Sequence, residues 1–482
     1  MNRLIKMAVW TIVATALLVA CSVNPATGKR QLMLVSSGQE LAMGAQSDKA
    51  IVAQMGLYDD PEVQAYVDRL GQRLAAVSEM PDLDWHFRVI DDPVVNAFAL
   101  PGGYVYITRG ILAHMNSEAE LVSVLGHEIG HVTGRHGASR MSKGMFAQLG
   151  LIGGMVLAPE ATQQYGGMVQ QGVGLLFLKY SRADERQADE LGMRYLLRDG
   201  WDPRPMREMF ETLQRVGADA GSGRLPGWMS THPAPENRAV WVDRAIAERN
   251  VADIDTRRVG HDRHLDVLDG IAFGEDPRKG YFEDTHFYHP DMAFQLRFPS
   301  GWKTQNTAQA VLAGPPEQDA VMRLSFAPGK TAQEAWDAFR GQEGIEIDAS
   351  APPRVGGYVT AGGAFRAATQ QGNMIGEAAF VEFDGRVFAL MGYASESRWS
   401  ARRAAIRGSI ESFARLTDRS KLDVAAARLR IVTNVRNRTA EAFASAHDAS
   451  VPPATLATIN HVVPGALFQG GERYKVVTGG RR

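Results

Sequence analysis

The 482-residue chain reads as an α+β protein: a mainly helical N-terminal domain with a small sheet, then a small α+β domain, then a short terminal module. Three observations predict this. The length exceeds the roughly 250–300 residues at which a single hydrophobic core stops growing, so two or three domains are expected. Apolar residues recur at helical spacing through most of the stretch from Gln39 to Asn250. After Asp276 the pattern changes to short alternating segments interleaved with two helical ones. Composition adds bounds. With 45% hydrophobic and 22% charged residues the chain is globular rather than disordered. A net charge of −2 supplies no basic field, so no nucleic-acid partner is expected. One cysteine excludes an intramolecular disulfide and any zinc site built from several thiolates.

The elements follow in order. Arg3 and Lys6 precede an apolar run from Met7 to Ala20, the layout of an export signal and too short for a bilayer span of about 20 residues. The run ends Leu18-Val19-Ala20-Cys21, which resembles the lipobox of bacterial lipoproteins. That resemblance implies cleavage of a signal peptide over 1–20 and a lipid on Cys21. Ser22 stands where an aspartate would resemble an inner-membrane retention signal, so the expected location is the periplasm, anchored to the outer membrane.

Residues 22–38 form a polar, turn-rich leader. Two helices then precede Pro81, one through Leu41, Met43, Ile51 and Met55, the other through Val63, Val67, Leu70 and Leu74. Trp85–Ile90 and Tyr104–Thr108 alternate as strands, the second after the turn Pro101-Gly102-Gly103. Helical spacing returns over Ser117–His136, where Ser117 caps and Glu120 closes a capping box. The Gly- and Met-rich stretch 144–178 reads as a lid able to bend at its glycine pairs. Arg182–Asp199 is a charged helix stopped by Gly200, with shorter helices over 205–216 and 235–250. The expected boundaries are 21–276 for the first domain, 277–418 for the second and 419–482 for the module.

The chemistry lies in His127-Glu128-Ile129-Gly130-His131. Helical period places both imidazoles one turn apart on one face, where they can bind one Zn²⁺ per chain. Glu128 projects beside them, free to act as a base rather than a ligand. Leu121, Val124, Leu125, Ile129 and Val132 make another face apolar, so this helix is a packed element. Gly126 and Gly130 each cost about 1 kcal/mol relative to alanine in a helix, which predicts close approach of another backbone or room for metal and substrate. A catalytic zinc needs a third protein ligand. Glu185 and Asp189, one turn apart on the charged helix, suit one ligating carboxylate and one that orients a histidine, or else a solvated face of i,i+4 ion pairs.

Four ordered motifs settle the comparison: Asn96 to Gly103, the His127–His131 motif, Ser181-Arg182-Ala183-Asp184-Glu185 through Asp189, and Ser230-Thr231-His232-Pro233. Together, over about residues 35–250, they resemble metallopeptidase family forty-eight, the family of HtpX and the CAAX prenyl proteases, and in particular its periplasmic lipoprotein branch. The resemblance implies a zincin-type domain with zinc held by His127, His131 and Glu185 and with Glu128 as general base. Asp189 matches the carboxylate behind the ligands, and Arg238 a supporting basic residue. His232 matches a histidine near the metal that stabilises the oxyanion or occupies the open coordination position. An exposed strand edge is expected to pair with extended peptide substrate, with Tyr104–Thr108 as that strand and Asn96 and Ala97 at the approach to the cleft.

The expected function is therefore a zinc endopeptidase of the bacterial envelope, acting on misfolded or misassembled proteins. The competing reading is a chaperone or assembly scaffold with a regulatory zinc site. The second domain looks vaguely like small Mog/PsbP-type domains. The segment from Leu456 to Val477 resembles half of a LysM module, although Asn437-Arg438-Thr439 departs from the usual Gly-Asp-Thr. A degenerate module docking the protease domain or an envelope assembly partner is expected.

Overall fold

The computed structural model describes residues 21–28, 30–142, 180–219, 228, 232, 238–251, 253–348, 352–369 and 372–480. The signal peptide over 1–20 and the lid expected over 144–178 lie outside them, as does the Cys21 side chain. The chain divides into two compact units. One comprises residues up to Gly274 together with Ala427–Gly479; the other is Glu275–Ala426, with which the short stretches 53–55 and 480–482 group.

The first unit opens with a two-stranded ribbon, β1 (Cys21–Val23) against β2 (Arg30–Leu32), followed by α1 (Ser37–Met55) and α2 (Pro61–Ala76). Asp60 caps α2 by accepting from Glu62 and Val63 N–H groups, and Pro61 occupies the first turn, where its missing donor costs nothing. Val63, Val67, Leu70 and Leu74 give α2 its buried stripe. The small sheet contains β3 (His86–Ile90), β4 (Ala97–Leu100) and β5 (Tyr104–Thr108) in the order β3–β5–β4. β5 pairs parallel with β3 and antiparallel with β4, so it is the centre of the sheet. This corrects the expectation of β5 as the free edge: β4 holds that position. The reason is that the Pro101–Gly103 turn folds β4 back as a hairpin, which uses up one side of β5, and β3 takes the other.

Behind the sheet lie α3 (Glu118–Thr133), α4 (Arg182–Arg198), α5 (Pro205–Asp219), α6 (Arg238–Arg249) and α7 (His261–Leu268), with the short β6 (Ala272–Phe273) following. Every residue of α3 is buried, and its Leu121, Val122, Leu125 and Ile129 lie at the centre of the apolar core. His264 on α7 is buried against the Tyr66 hydroxyl, 2.7 Å from its Nδ1. Burial pushes His264 down to about 3 and His114 down to about 4. Both folded values lie below the ordinary 6.5, so in the window from about pH 6.5 to 4 the unfolded chain binds protons that the fold refuses. Stability is expected to fall with falling pH there, by up to ~1.4 kcal/mol per pH unit for each such histidine. Urea midpoints of the wild type and His264→Gln between pH 7.5 and 5 check this. Parallel pH profiles would refute the contribution of His264.

The second unit carries two sheets. One has the order β17–β9–β8–β7, from β7 (Tyr281–Glu283), β8 (His286–His289), β9 (Phe294–Arg297) and β17 (Ala414–Arg415). The other has seven antiparallel strands in the order β10–β11–β12–β16–β15–β14–β13, namely β10 (Lys303–Asn306), β11 (Ala310–Gly314), β12 (Ala320–Phe326), β13 (Ile345–Asp348), β14 (Thr360–Thr369), β15 (Gly372–Phe383) and β16 (Arg386–Ser395). Helices α8 (Ala332–Arg340) and α9 (Trp399–Glu411) pack on this larger sheet, α9 burying Ile406 and Ile410.

The C-terminal segment consists of β18 (Ala427–Thr433), α10 (Ala440–Ala446), α11 (Pro453–Ile459) and β19 (Arg473–Gly479). The sequence sets it apart as a module, but its apolar side chains join the first unit. β18 pairs with β19 and also with β6, at Ala427↔Phe273 and Arg428↔Ala272. Leu429, Phe443, Leu456, Phe468 and Val477 belong to the same core as α3. The buried Lys475 donates to the carbonyl oxygens of Ala113 and Met115, just ahead of α3. Some 60 residues bury only enough surface for a marginal core of their own, and sharing the larger one adds to it.

Candidate active site

α3 starts at Ser117, whose hydroxyl accepts from the Glu120 N–H at 3.2 Å. The expected capping box is displaced by one residue, since the Glu120 carboxylate accepts from the Asn116 N–H. α4 has a complete box, with Ser181 and Asp184 satisfying each other's backbone N–H groups. The two helices run closer than ordinary side chains allow. A Cβ on Gly130 would stand 2.9 Å from the Ala188 carbonyl oxygen, and one on Gly192 would stand 3.0 Å from the His127 nitrogen. The glycines in α3 therefore mark backbone approach, the first of the two alternatives left open by the sequence.

This approach brings His127 and His131 on α3 against Glu185 on α4, with His232 completing a buried cluster. His127 Nε2 is 3.0 Å from His131 Nε2 and 3.3 Å from His232 Nδ1. Glu185 lies 3.5 Å from both His127 Nε2 and His131 Nε2, and 3.0 Å from His232 Nδ1. A tetrahedral ion with bonds of about 2.0–2.1 Å separates its ligands by about 3.3 Å, so these spacings suit one shared metal. Glu185 is fully buried, which excludes the solvated ion-pair face.

Proton positions follow from the partners. His127 Nδ1 faces Asp189 Oδ1 at 2.8 Å, so Nδ1 carries the proton and Nε2 presents its lone pair inward. His136 places Nε2 2.7 Å from the Gln187 side-chain oxygen and Nδ1 2.9 Å from His131 Nδ1. If the Gln187 oxygen accepts, His131 must donate from Nδ1, leaving its Nε2 bare as well. Arg238 grips Asp189 through both carboxylate oxygens, with Nε at 2.9 Å from Oδ2. Among the described residues, Glu128 Oε1 and Oε2, Glu185 Oε2 and His232 Nε2 are buried with no hydrogen-bond partner. Such orphaned atoms are costly in an apolar interior, and a cation with its water satisfies them.

The electrostatics agree with a site built for positive charge. Burial alone opposes charge on His127, but the Asp189 and Glu185 carboxylates outweigh it and lift the ring to about 9, so without a metal Nε2 also holds a proton, which a bound cation would displace to take the lone pair. Burial raises Glu128 above the usual carboxylate range, towards a stronger base. Glu185 is buried too, yet the imidazoles of His232 and His127 hold it well below that range. Burial, aided by the neighbouring His127, drives His131 well below its usual value, so it stays neutral and ready to ligate.

All seven residues expected at or beside the metal converge here: His127, Glu128, His131, Glu185, Asp189, His232 and Arg238. Ala97 begins β4 at the open edge of the sheet, with Asn96 just before it. Four others were not anticipated. Tyr180 stacks on His131 at 3.8 Å, and Trp228 stacks on His232 at 4.2 Å. Trp228 also accepts the His232 N–H at its carbonyl, 2.8 Å away, four residues on, a helix-like spacing that was a usable signal. His136 and Gln187, which brace His131, carry no spacing that singles them out.

A helix presenting two histidines and a glutamate, a second helix presenting a carboxylate, and an edge strand together define a protein of the metallopeptidase class. Residues 61–245 match the model of Peptidase family M48. The chain is 30% identical over 239 residues to the mitochondrial metalloendopeptidase OMA1 of Schizosaccharomyces pombe, covering 48% of this chain and 68% of that one. It is 31% identical over 235 residues to the beta-barrel assembly-enhancing protease of Escherichia coli (strain K12), covering 47% of each. For OMA1 of Arabidopsis thaliana the figures are 30% over 227 residues, 47% of this chain and 43% of that one. The chain belongs to peptidase family M48. It spans about half the length of the last two relatives.

A solved structure of cyanobacterial PsbP from Synechocystis sp. PCC 6803 matches 27% of this chain at 15% identity, with a TM-score of 0.22.

Proposed function

We propose that this protein is a zinc-dependent endopeptidase of the bacterial envelope, acting on misfolded or misassembled envelope proteins. The observation that carries it is the buried convergence of His127, His131 and Glu185 beside an unpartnered Glu128. In this reading the three residues hold the metal, and Asp189, braced by Arg238, fixes the His127 tautomer. One zinc ion would supply Lewis-acid polarisation of the scissile carbonyl and an activated water. Glu128 is placed as the general base that would take a proton from the attacking water and return it to the leaving amine. His232, 3.6 Å from Glu128 through its Nε2, would either donate to the developing oxyanion or join the residues that hold the metal. Its Nδ1, packed against Glu185 and His127, favours the second role at rest.

β4 supports substrate pairing by strand addition. Asn96 turns its peptide groups inward, its N–H to Thr108 Oγ1 and its carbonyl to Thr108 N–H. By antiparallel alternation Ala97 and Ala99 then turn theirs to the open edge. A cavity of about 270 Å³ lies alongside, lined by Leu41, Leu83, Leu100, Val132, His131 and Tyr180, and suits an apolar side chain of the substrate.

The lipid anchor on Cys21 and the outer-membrane location belong to the same proposal. No described helix is long and apolar enough to cross a membrane. The βααβ order of the C-terminal segment supports its LysM-like reading and, with it, docking on the protease domain or on an envelope assembly partner, while the change of unit at Glu275 supports a boundary near 276. Removing metal with 1,10-phenanthroline is expected to stop casein cleavage, and stoichiometric Zn²⁺ to restore it. Cys21→Ser is expected to release the protein from the membrane fraction with the activity intact. Hydrolysis that persists without metal would sink the enzymatic reading. The scaffold alternative would be favoured if a catalytically dead variant fully rescued an envelope-stress phenotype.

A further inference from the structure

A second group of potential ligands lies away from the active site, where the C-terminal segment meets α3 and α5. One nitrogen of His461 and one carboxylate oxygen each of Glu120 and Glu208 come within 4.8 Å of one another. They line a cavity of about 500 Å³ that also exposes Asp202, Asn460 and Tyr474. Glu120 is buried at the first turn of α3, Glu208 stands on α5 with 56% of its side chain exposed, and His461 follows α11.

The orientation of His461 is the telling feature. Its Nε2 lies 2.9 Å from the carbonyl oxygen of His114. A carbonyl can only accept, so Nε2 carries the proton, and in the neutral ring Nδ1 is a bare lone pair. That Nδ1 is buried without a hydrogen-bond partner and faces Glu208 at 4.0 Å, while the nearest Glu120 oxygen lies 3.6 Å from Nε2 on the other side of the ring. An imidazole whose far N–H is held by a backbone carbonyl is the arrangement by which proteins orient metal-ligating histidines. The cations lining the cavity are engaged elsewhere: Arg204 pairs with Asp202 and Asp255, and Arg473 with Asp262 and Asp266. Lys475 also acts on Glu120, but the carbonyl oxygens of Ala113 and Met115 hold its ammonium.

We infer that His461, Glu208 and Glu120 form a second divalent-metal site, which clamps the C-terminal segment to the start of the catalytic helix. One imidazole with two carboxylates suits a first-row transition ion such as Zn²⁺ or Mn²⁺ better than Ca²⁺, which prefers six or more oxygens. The site differs from the His127 cluster in every ligand, and its occupancy does not depend on peptidase activity.

The test is the metal content of the full chain after equilibrium dialysis against Zn²⁺, read by mass spectrometry. The wild type is expected to retain about two ions per chain. Glu208→Gln and His461→Asn should each lose about one while still cleaving casein, and His131→Ala should lose about one together with its cleavage. Glu208→Gln is isosteric at a half-exposed position, so the fold tolerates it; circular dichroism melting of each variant checks this. Glu208→Gln and His461→Asn variants that hold as many ions as the wild type would overturn the inference. So would a single wild-type ion that disappears in His131→Ala, which leaves the active-site proposal standing. A single ion that instead disappears in Glu208→Gln would support this site and sink the other.

Discussion

Glu128→Gln is expected to keep the metal and lose the peptidase. Glu128 is fully buried, lies on the same helix as His127 and His131, and has neither carboxylate oxygen hydrogen-bonded within the protein. It is therefore not needed to hold the ligands in place. Its one strong interaction is with charge, since burial raises its pKa while the neighbouring His232 and His127 pull it back. Glutamine keeps the shape and removes the base. Turnover of casein should fall by about 10²–10⁴-fold, the usual worth of a positioned acid–base group. Zinc content should stay at the wild-type level. Turnover within a few-fold of the wild type would show that another group takes the proton.

Gly130→Val is expected to have the largest effect of any single addition in α3. The new Cβ would stand 2.9 Å from the Ala188 carbonyl oxygen and 3.1 Å from the Ala188 Cα. Those are backbone atoms of α4 and cannot swing aside, so the helices must separate. His127 and His131 lie on one side of that gap and Glu185 on the other. Overpacking of this kind costs about 1–3 kcal/mol. The separation should also weaken zinc binding by at least about tenfold, within the range seen when support behind ligands is lost. Gly408→Ala on α9 is the control. It has nothing within 4 Å of the new methyl and should be neutral or slightly stabilising. Differential scanning calorimetry with zinc titration reads both terms. Unchanged zinc affinity in a folded Gly130→Val would show that the helix contact does not set the ligand geometry.

Much of the site was legible because its parts are local. His127 and His131 sit four residues apart on a packed helix, and Glu185 and Asp189 repeat that interval, so periodicity alone places each pair on one face. The glycine penalties in α3 pointed to a close neighbour, and Gly192 on α4 proved to be part of it. The division of labour within the second pair is also visible in the structure, with Asp189 on His127 Nδ1 and Glu185 among the bare nitrogens. Tyr180, Trp228, His136 and Gln187 were not legible. Their roles rest on ring stacking and a hydrogen-bond relay between segments far apart in the chain, and no interval encodes such contacts.

The strands show the same division. Tyr104–Thr108 alternates and is a strand, but alternation states only that both faces differ. Whether its edges are free depends on which strands flank it, and the hairpin to β4 with the parallel β3 settled that. The C-terminal segment has the right pattern for a small module, yet β18 pairs with β6 about 155 residues earlier in the chain. By itself, the sequence determined the helices, the His127–His131 and Glu185–Asp189 pairs and the family, because each rests on short-range spacing. Only the tertiary structure decided which strand is the edge, how the imidazole protons are placed, and that the last segment shares the protease core. Those outcomes come from burial and hydrogen bonding between distant segments, where the lowest free energy belongs to the whole assembly of elements.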